Sequence, residues 1–259
     1  VIFSVLLSVF SIYTLIANKL SLGLDFTGGT LIEVVYAQDA DVNDVRARIE
    51  KAGFHGAVVQ LFGTAMDVAI RIPLQADVET KEVADRVMAQ LTEGGVKVEL
   101  KRREFVSPSV GADLIEGGFV AMAIAFVGIL IYISVRYEWK FALGAIIALA
   151  HDVLITLGLF SILQIEFDLT VLAALLTVVG YSLNDTVVVF DRMKENFIEL
   201  RSATPWEAAT NAINSMLVRT LVMSITTVFV LLALFYLGGA MIHSFAIAML
   251  CGVIFGTYS

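Results

Sequence analysis

Residues 169–192 read LTVLAALLTVVGYSLNDTVVVFDR. The run from Leu169 to Phe190 has the roughly 20 apolar residues that a helix needs to cross a bilayer, yet it carries Asp185. A charge at that depth costs roughly 3 kcal/mol on insertion scales, so such a residue faces a bundle interior and does work there. Thr177, Tyr181, Asp185 and Arg192 follow at steps of four, four and seven, which lines them on one helix face with Ser182 and Asn184 beside it. A polar stripe on an aliphatic helix must be kept from acyl chains. A second acid, Asp152, lies in the run Phe141 to Ser161, with His151 before it and Thr156 one turn later. Two acids placed where water is scarce predict a membrane transport or energy-coupling protein.

Composition agrees. Hydrophobic residues make up 58% of the chain and charged ones only 16%, and the mean hydropathy is +0.86, which puts most of the mass in lipid. Six stretches are expected to span: Val1 to Ala17, Leu114 to Val135, Phe141 to Ser161, Leu169 to Phe190, Leu217 to Leu237 and Met241 to Tyr258. The first starts at residue 1 without a charged flank, so the natural chain is expected to extend beyond it. It has neither the basic n-region nor the cleavage site of a signal peptide. Outside residues 18–112 the basic residues are Arg136, Lys140, Arg192, Lys194, Arg201 and Arg219. All fall in the loops 135–141 and 191–220, which the positive-inside rule assigns to the cytoplasm. The polar segment after the first span then lies outside. The net charge of −8 argues against a nucleic-acid partner. Cys251 is the sole cysteine, so no intrachain disulfide can form.

The polar segment has its own pattern. Thr30 to Tyr36 reads as a strand, and Asp41 caps a helix that buries Val45 and Ile49 and stops at Gly53. Ala57 to Leu61 and Met66 to Ile72 read as paired strands around Gly63-Thr64. A second helix carries Val83, Val87 and Leu91 until Gly94-Gly95, and Val96, Val98 and Leu100 alternate with charges in a last strand. The order βαββαβ is that of a ferredoxin-like unit. The expected organisation is therefore an α-helical membrane protein: helix 1 at residues 1–17, an external ferredoxin-like α+β domain at 18–112, and helices 2–6 at 113–259 with a cytoplasmic loop at 191–216.

Smaller signals complete the reading. Thr204-Pro205-Trp206-Glu207 is a capping box, which predicts a short interfacial helix from Pro205 towards Ser215. Small residues recur every four positions at Gly117, Ala121 and Ala125, and again at Ala248, Gly252 and Gly256, a spacing that lets helix backbones approach closely. Asp185 lies about 9 Å inside the cytoplasmic end of its helix, where a carboxyl group can load and release protons while Arg219 stabilises its charged form. The blander roles are a structural hydrogen bond for Asp185 and a topological flank for Arg219. Asp152 reads either as a second relay station or as a static interhelical bond, and His243 as an interfacial residue. Asn184-Asp185-Thr186 matches a glycosylation sequon but lies inside the membrane. His55, His151 and His243 have no metal spacing. Gly23 to Thr30 has the outline of a phosphate loop, but Gly29 stands where its lysine belongs. A protease dyad of Asp152 and Asp185 would need the two at equal depth, and they differ by roughly 7 Å along the normal. A passive channel would conduct without a titratable group.

Four motifs in order carry a resemblance: Leu22-Gly23-Leu24-Asp25-Phe26-Thr27-Gly28-Gly29-Thr30, Asn184-Asp185-Thr186-Val187-Val188-Val189-Phe190-Asp191-Arg192, Arg219-Thr220, and Gly256-Thr257-Tyr258-Ser259. Together they resemble the SecF family of bacterial protein-export membrane subunits, of the resistance-nodulation-division superfamily. The resemblance covers essentially the whole chain. It implies a non-enzymatic, multi-pass subunit of the bacterial inner membrane that works with SecD at the Sec translocon channel. Such a subunit uses the proton-motive force to promote late preprotein translocation, with no cofactor beyond the coupling protons. Unfolded preprotein would meet the external domain, and lipid would surround the bundle. On these residues, Asp185 would carry the proton, with Arg219 its functional neighbour and Asn184 and Asp152 in the pathway. Asp25, Gly28 and Gly29 would join span one to the external domain, and Asp191 and Arg192 would close the fourth-span motif. The alternative implied by the same likeness is another proton-coupled transporter half of the superfamily.

Overall fold

The computed structural model describes residues 2–62, 64–74, 80–93, 95–199 and 204–259. Val1, Gly63, Gly94 and Arg201, named above, lie outside the described residues. Two compact units divide the chain: one takes residues 1–21, 119–238 and 242–259, the other 22–118 and 239–241.

β1 (Ser21–Leu22) falls at the boundary of the two units, and the second unit continues with the short turn α2 (Leu24–Thr27), β2 (Gly29–Tyr36), α3 (Val42–Lys51), β3 (Val58–Phe62), β4 (Thr64–Pro73), α4 (Thr80–Thr92) and β5 (Val98–Val106). The four long strands pair antiparallel in the order β3-β4-β2-β5. Alternation sets the register, with Ile32 opposite Ile70 and Val34 opposite Val68. These side chains meet Val45 and Ile49 of α3 and Val83, Val87 and Leu91 of α4 in one buried core. Asp41 caps α3 as expected, accepting a hydrogen bond from the Asn43 N–H at 2.8 Å. The last strand begins at Val98 and runs on to Val106, so Val96 stays outside it. It lies at the sheet edge, where Leu100 is exposed instead of joining the core.

The first unit is helical. Four helices are long and apolar enough to cross a membrane: α5 (Pro108–Arg136), α6 (Trp139–Leu163), α7 (Leu169–Glu199) and α8 (Pro205–Leu237). The helix α1 (Ile2–Ala17) and residues 242–258 of α9 (Ala240–Tyr258) are apolar but shorter. Between α6 and α7 lies β6 (Glu166–Phe167). The short interfacial helix expected from Pro205 to Ser215 is not separate. It is the first part of α8, because the capping box at Thr204 starts a helix and no glycine or proline follows before Gly238 to stop it. The described residues of the stretch assigned to a loop at 191–216 are likewise helical apart from the cap Thr204, 191–199 ending α7 and 205–216 opening α8.

Close seams hold the bundle. Gly158 of α6 lies against Ser11 of α1, with no room for a Cβ, and the Ser161 hydroxyl donates to the Thr14 carbonyl at 2.8 Å. On α9, Gly252 lies against Val178 of α7 and Gly256 against Ser182 and Asp152, so this small-residue stripe is a helix seam. On the matching stripe of α5, a Cβ at Gly117 would meet nothing within 4 Å among the described residues, so that position is not a seam with them. Adding one methyl group separates seam from surface. Gly252→Ala should destabilise the protein by about 1–3 kcal/mol through overpacking against Val178, whereas Gly144→Ala, with nothing within 4 Å, should be neutral or stabilising. Unfolding of the detergent-solubilised protein reads both, and equal midpoints would mean that α9 does not seat on α7 through Gly252.

Candidate proton-handling site

Two acids sit one helix apart in different surroundings. Asp152 on α6 is fully buried. Its Oδ2 accepts from the Ser182 hydroxyl of α7 at 2.8 Å and from the Ser259 hydroxyl just beyond α9 at 3.0 Å. Its Oδ1 lies 3.1 Å from His151 Nδ1. One turn on, the Thr156 hydroxyl donates to the Asp152 carbonyl instead of the side chain. Asp152 thus forms an interhelical bond, one of its two expected roles, and ties three helices together. Two hydroxyls and an imidazole thus hold the acid, in bonds that the low dielectric strengthens.

Asp185 is also buried, at 8% exposure, but its Oδ2 has no hydrogen-bond partner among the described residues. Arg219 on α8 acts on it through space without forming an ion pair with it, and the Arg219 side chain is exposed. Asp185 is therefore the loose acid and Asp152 the tied one. The two carboxyl groups share no hydrogen bond, whereas a protease dyad must share a proton.

The rest of the polar face divides. Tyr181 turns inward, its hydroxyl 3.3 Å from Ser224 Oγ on α8, and Ser224 continues to Thr257 Oγ1 on α9 at 2.6 Å. Thr177 and Asn184 are exposed, and Thr177 satisfies itself on the Ala173 carbonyl. Asn184 is thus not brought to either acid. Arg192 pairs with Glu195 at 2.8 Å. Asp191 is held at the α5–α6 turn, accepting from Arg136 at 3.0 Å and from the Tyr137 hydroxyl at 2.8 Å. Burial, then the bond to Asp191, push the Tyr137 phenol up, so it remains a donor at every physiological pH. His243 stacks on Phe235 with ring centroids 4.2 Å apart and makes no contact with the acids.

The glycine motif is a backbone junction. Asp25 lies in the first turn of α2, and Gly28 at φ 72° closes that turn through its N–H to the Leu24 carbonyl. Gly29 opens β2 at φ 141°, where a Cβ would strike the Ile72 carbonyl of β4, so only glycine fits. The Gly111 Cα lies against the Phe26 carbonyl with equally little space. Among the described residues no group of histidine, cysteine and carboxylate side chains could hold a metal ion.

Tyr137, Ser224 and Ser259 were not singled out for these roles from the sequence. Ser259 closes a motif quoted above, but hydroxyls on separate helices announce no partner, and Tyr137 gives no signal beyond its place next to Arg136.

Long apolar helices, two buried carboxyl groups, one with an oxygen unbonded among the described residues, and a separate α/β unit define a polytopic membrane protein with acids inside its helical bundle. Residues 86–259 match the family described as protein export membrane protein SecD/SecF, C-terminal, and residues 13–40 match the SecD/SecF GG motif. The chain is 49% identical to the protein translocase subunit SecF of Vibrio alginolyticus over 259 residues, all of this chain and 82% of that protein. It is 45% identical to the subunit of the same name from Pseudomonas aeruginosa, over 99% of this chain and 83% of that one. The crystal structure of SecDF from Thermus thermophilus, a translocon-associated membrane protein, superposes with a TM-score of 0.85 at 33% identity. That match covers 98% of this chain, which spans about a third of the solved one (35%). The chain belongs to the SecD/SecF family of protein-export membrane proteins.

The tied acid has a testable cost. Asp152→Ala removes the acceptor shared by the Ser182 and Ser259 hydroxyls and the His151 ring; the buried Ser182 hydroxyl left unpaired costs about 1–3 kcal/mol, while the exposed Ser259 and half-buried His151 add less. The variant should unfold markedly earlier than the parent in detergent, and Ser182→Ala, which removes one donor, should cost about 1 kcal/mol. A wild-type unfolding midpoint for Asp152→Ala would show that the three helices are not tied there.

Proposed function

We propose that the chain is a SecF-type accessory subunit of the Sec protein-export machinery. It works in the bacterial inner membrane beside SecD and the translocon channel, and uses the proton-motive force to promote late preprotein translocation. The observation that carries this reading is the Asp185 carboxyl group, buried on α7 with one oxygen unbonded and the Arg219 charge acting on it from the next helix. A carboxyl group tied like Asp152 is poorly placed to exchange a proton, because its bonds must break first. One left loose has no such barrier.

In this reading α1 and α9 span with the four longer helices, giving six. The basic residues Arg136, Lys140, Arg192, Lys194 and Arg219 then lie on the cytoplasmic side. The β2-α3-β3-β4-α4-β5 unit, with its strand order β3-β4-β2-β5, is ferredoxin-like and stands on the opposite, periplasmic side, where it meets the emerging unfolded chain. SecD covers part of the bundle surface, and lipid covers the rest. Asp185 is the proton carrier, Arg219 its electrostatic neighbour, and Asp152 a fixed member of the bundle beside it.

The energy suffices. Each proton crossing 100 mV releases about 2.3 kcal/mol, enough to bias a two-state motion about fifty-fold when loading and motion are coupled. Protonation of Asp185 cancels its attraction to Arg219, so α7 and α8 change their preferred packing with each proton. Asp185→Asn keeps the shape and removes the titratable group. In membrane vesicles holding the complete export complex, it should abolish the dependence of preprotein export on a proton gradient while leaving the protein level unchanged. Export at the wild-type rate, still sensitive to an uncoupler, would overturn the assignment of Asp185.

A further inference from the structure

The α5–α6 turn grips α7 between Val187 and Asp191 more tightly than a surface ion pair requires. The Tyr137 hydroxyl donates to Asp191 Oδ1 at 2.8 Å and reaches the Val187 carbonyl at 3.2 Å, while Arg136 donates to the same Oδ1 at 3.0 Å. The Tyr137 ring packs edge-on against Phe190 at 5.7 Å and tilts over Phe141 at 6.3 Å. The Arg136 guanidinium lies 5.4 Å from the ring centroid and the Lys194 ammonium 5.9 Å. An exposed ion pair alone is worth little; here a hydroxyl, a carbonyl and three rings join it.

The helical angle says what this grip does. At about 100° per residue, Ser182 and Asp191 lie nine positions apart and project from roughly opposite sides of α7. Ser182 is fixed on one side by Asp152 of α6, and Asp191 on the other by the α5–α6 turn. Asp185 lies between them, about 60° round from Ser182, about 120° from Asp191, and about 9 Å along the axis from Asp191. A helix held at one point can roll about its axis; one held on two opposed sides cannot. We propose that Tyr137 and Asp191 are positioning residues that fix the rotation of α7 and so keep Asp185 turned towards Arg219 of α8. The role deepens the proposed function of Asp185 and rests on it, while the geometry of the clamp is tested separately.

The test uses the full chain with its export partners in native membranes. With Cys251→Ser as background, Asp185→Cys and Arg219→Cys are joined by a short bifunctional thiol reagent and the linked peptide is quantified by mass spectrometry. Adding Asp191→Ala or Tyr137→Phe should lower the linked fraction by roughly three- to tenfold, the weight of one or two hydrogen bonds. Asp191→Asn keeps an oxygen acceptor for both donors and should preserve most of the linkage. That rescue separates a lost bond from a damaged fold. With Asp185 and Arg219 restored and equal amounts in the membrane, Asp191→Ala and Tyr137→Phe should slow proton-driven export several-fold, and Asp191→Asn should slow it less. Linkage as strong in Asp191→Ala and Tyr137→Phe as in the parent overturns the proposal. So does wild-type export in both variants under conditions where Asp185→Asn is blocked. Wild-type export in Asp185→Asn itself overturns instead the reading on which the role rests, and leaves the linkage result to judge the clamp.

Discussion

The hydrocarbon core of a membrane cannot solvate a polar atom, and the helical unit is organised by that constraint. Each hydroxyl, imidazole and carboxyl group placed in it must find a partner on a neighbouring helix or on its own backbone. Asp152 is where the requirement is met most fully. Ser182 and Ser259 both donate to it and His151 lies against it. Because Ser259 follows α9, this one carboxyl group fixes α6, α7 and the end of α9 together. The glycine seam agrees, since Gly256 has no side chain at the point where α9 passes Asp152 and Ser182. Any larger residue there would push the donors away from the acid.

Against that knot the looseness of Asp185 has meaning. It lies three residues from Ser182 on the same helix, so the tie that satisfies one acid also sets the place of the other. Asp152 accepts bonds from two hydroxyls with an imidazole beside it, whereas Asp185 Oδ2 accepts none among the described residues. Arg219 lies on the next helix, α8, with its side chain exposed.

Much of this was readable in the residues. The apolar runs, the βαββαβ order, the cap at Asp41 and the polar face of α7 all depend on local periodicity and on single-residue conformational rules, which act through near neighbours in the chain. The small-residue spacing at Ala248, Gly252 and Gly256 signalled a seam and found one on α7. The same spacing at Gly117, Ala121 and Ala125 signalled a seam and found no partner at Gly117 among the described residues, because spacing tells which face can be approached and not what approaches it. The capping box at Thr204 was legible, but the length of the helix it starts was underestimated. Apolar content falls between Pro205 and Ser215, while helix continuity depends only on the lack of a breaker.

What the sequence by itself determined is the order of the long strands and apolar helices, the membrane class and the identity of the two buried acids, since hydrophobic length and the cost of a charge in lipid are properties of the segments themselves. The tertiary structure decided which acid is tied and which is free. It placed Ser182, Ser259 and His151 around Asp152, left Asp185 Oδ2 unbonded, turned Asn184 outward, and set Tyr137 and Arg136 on Asp191. The physical reason is that a hydrogen bond is settled within about 3 Å, between side chains as far apart in the chain as Asp152 and Ser259, and only the packing of helices brings such groups to that distance.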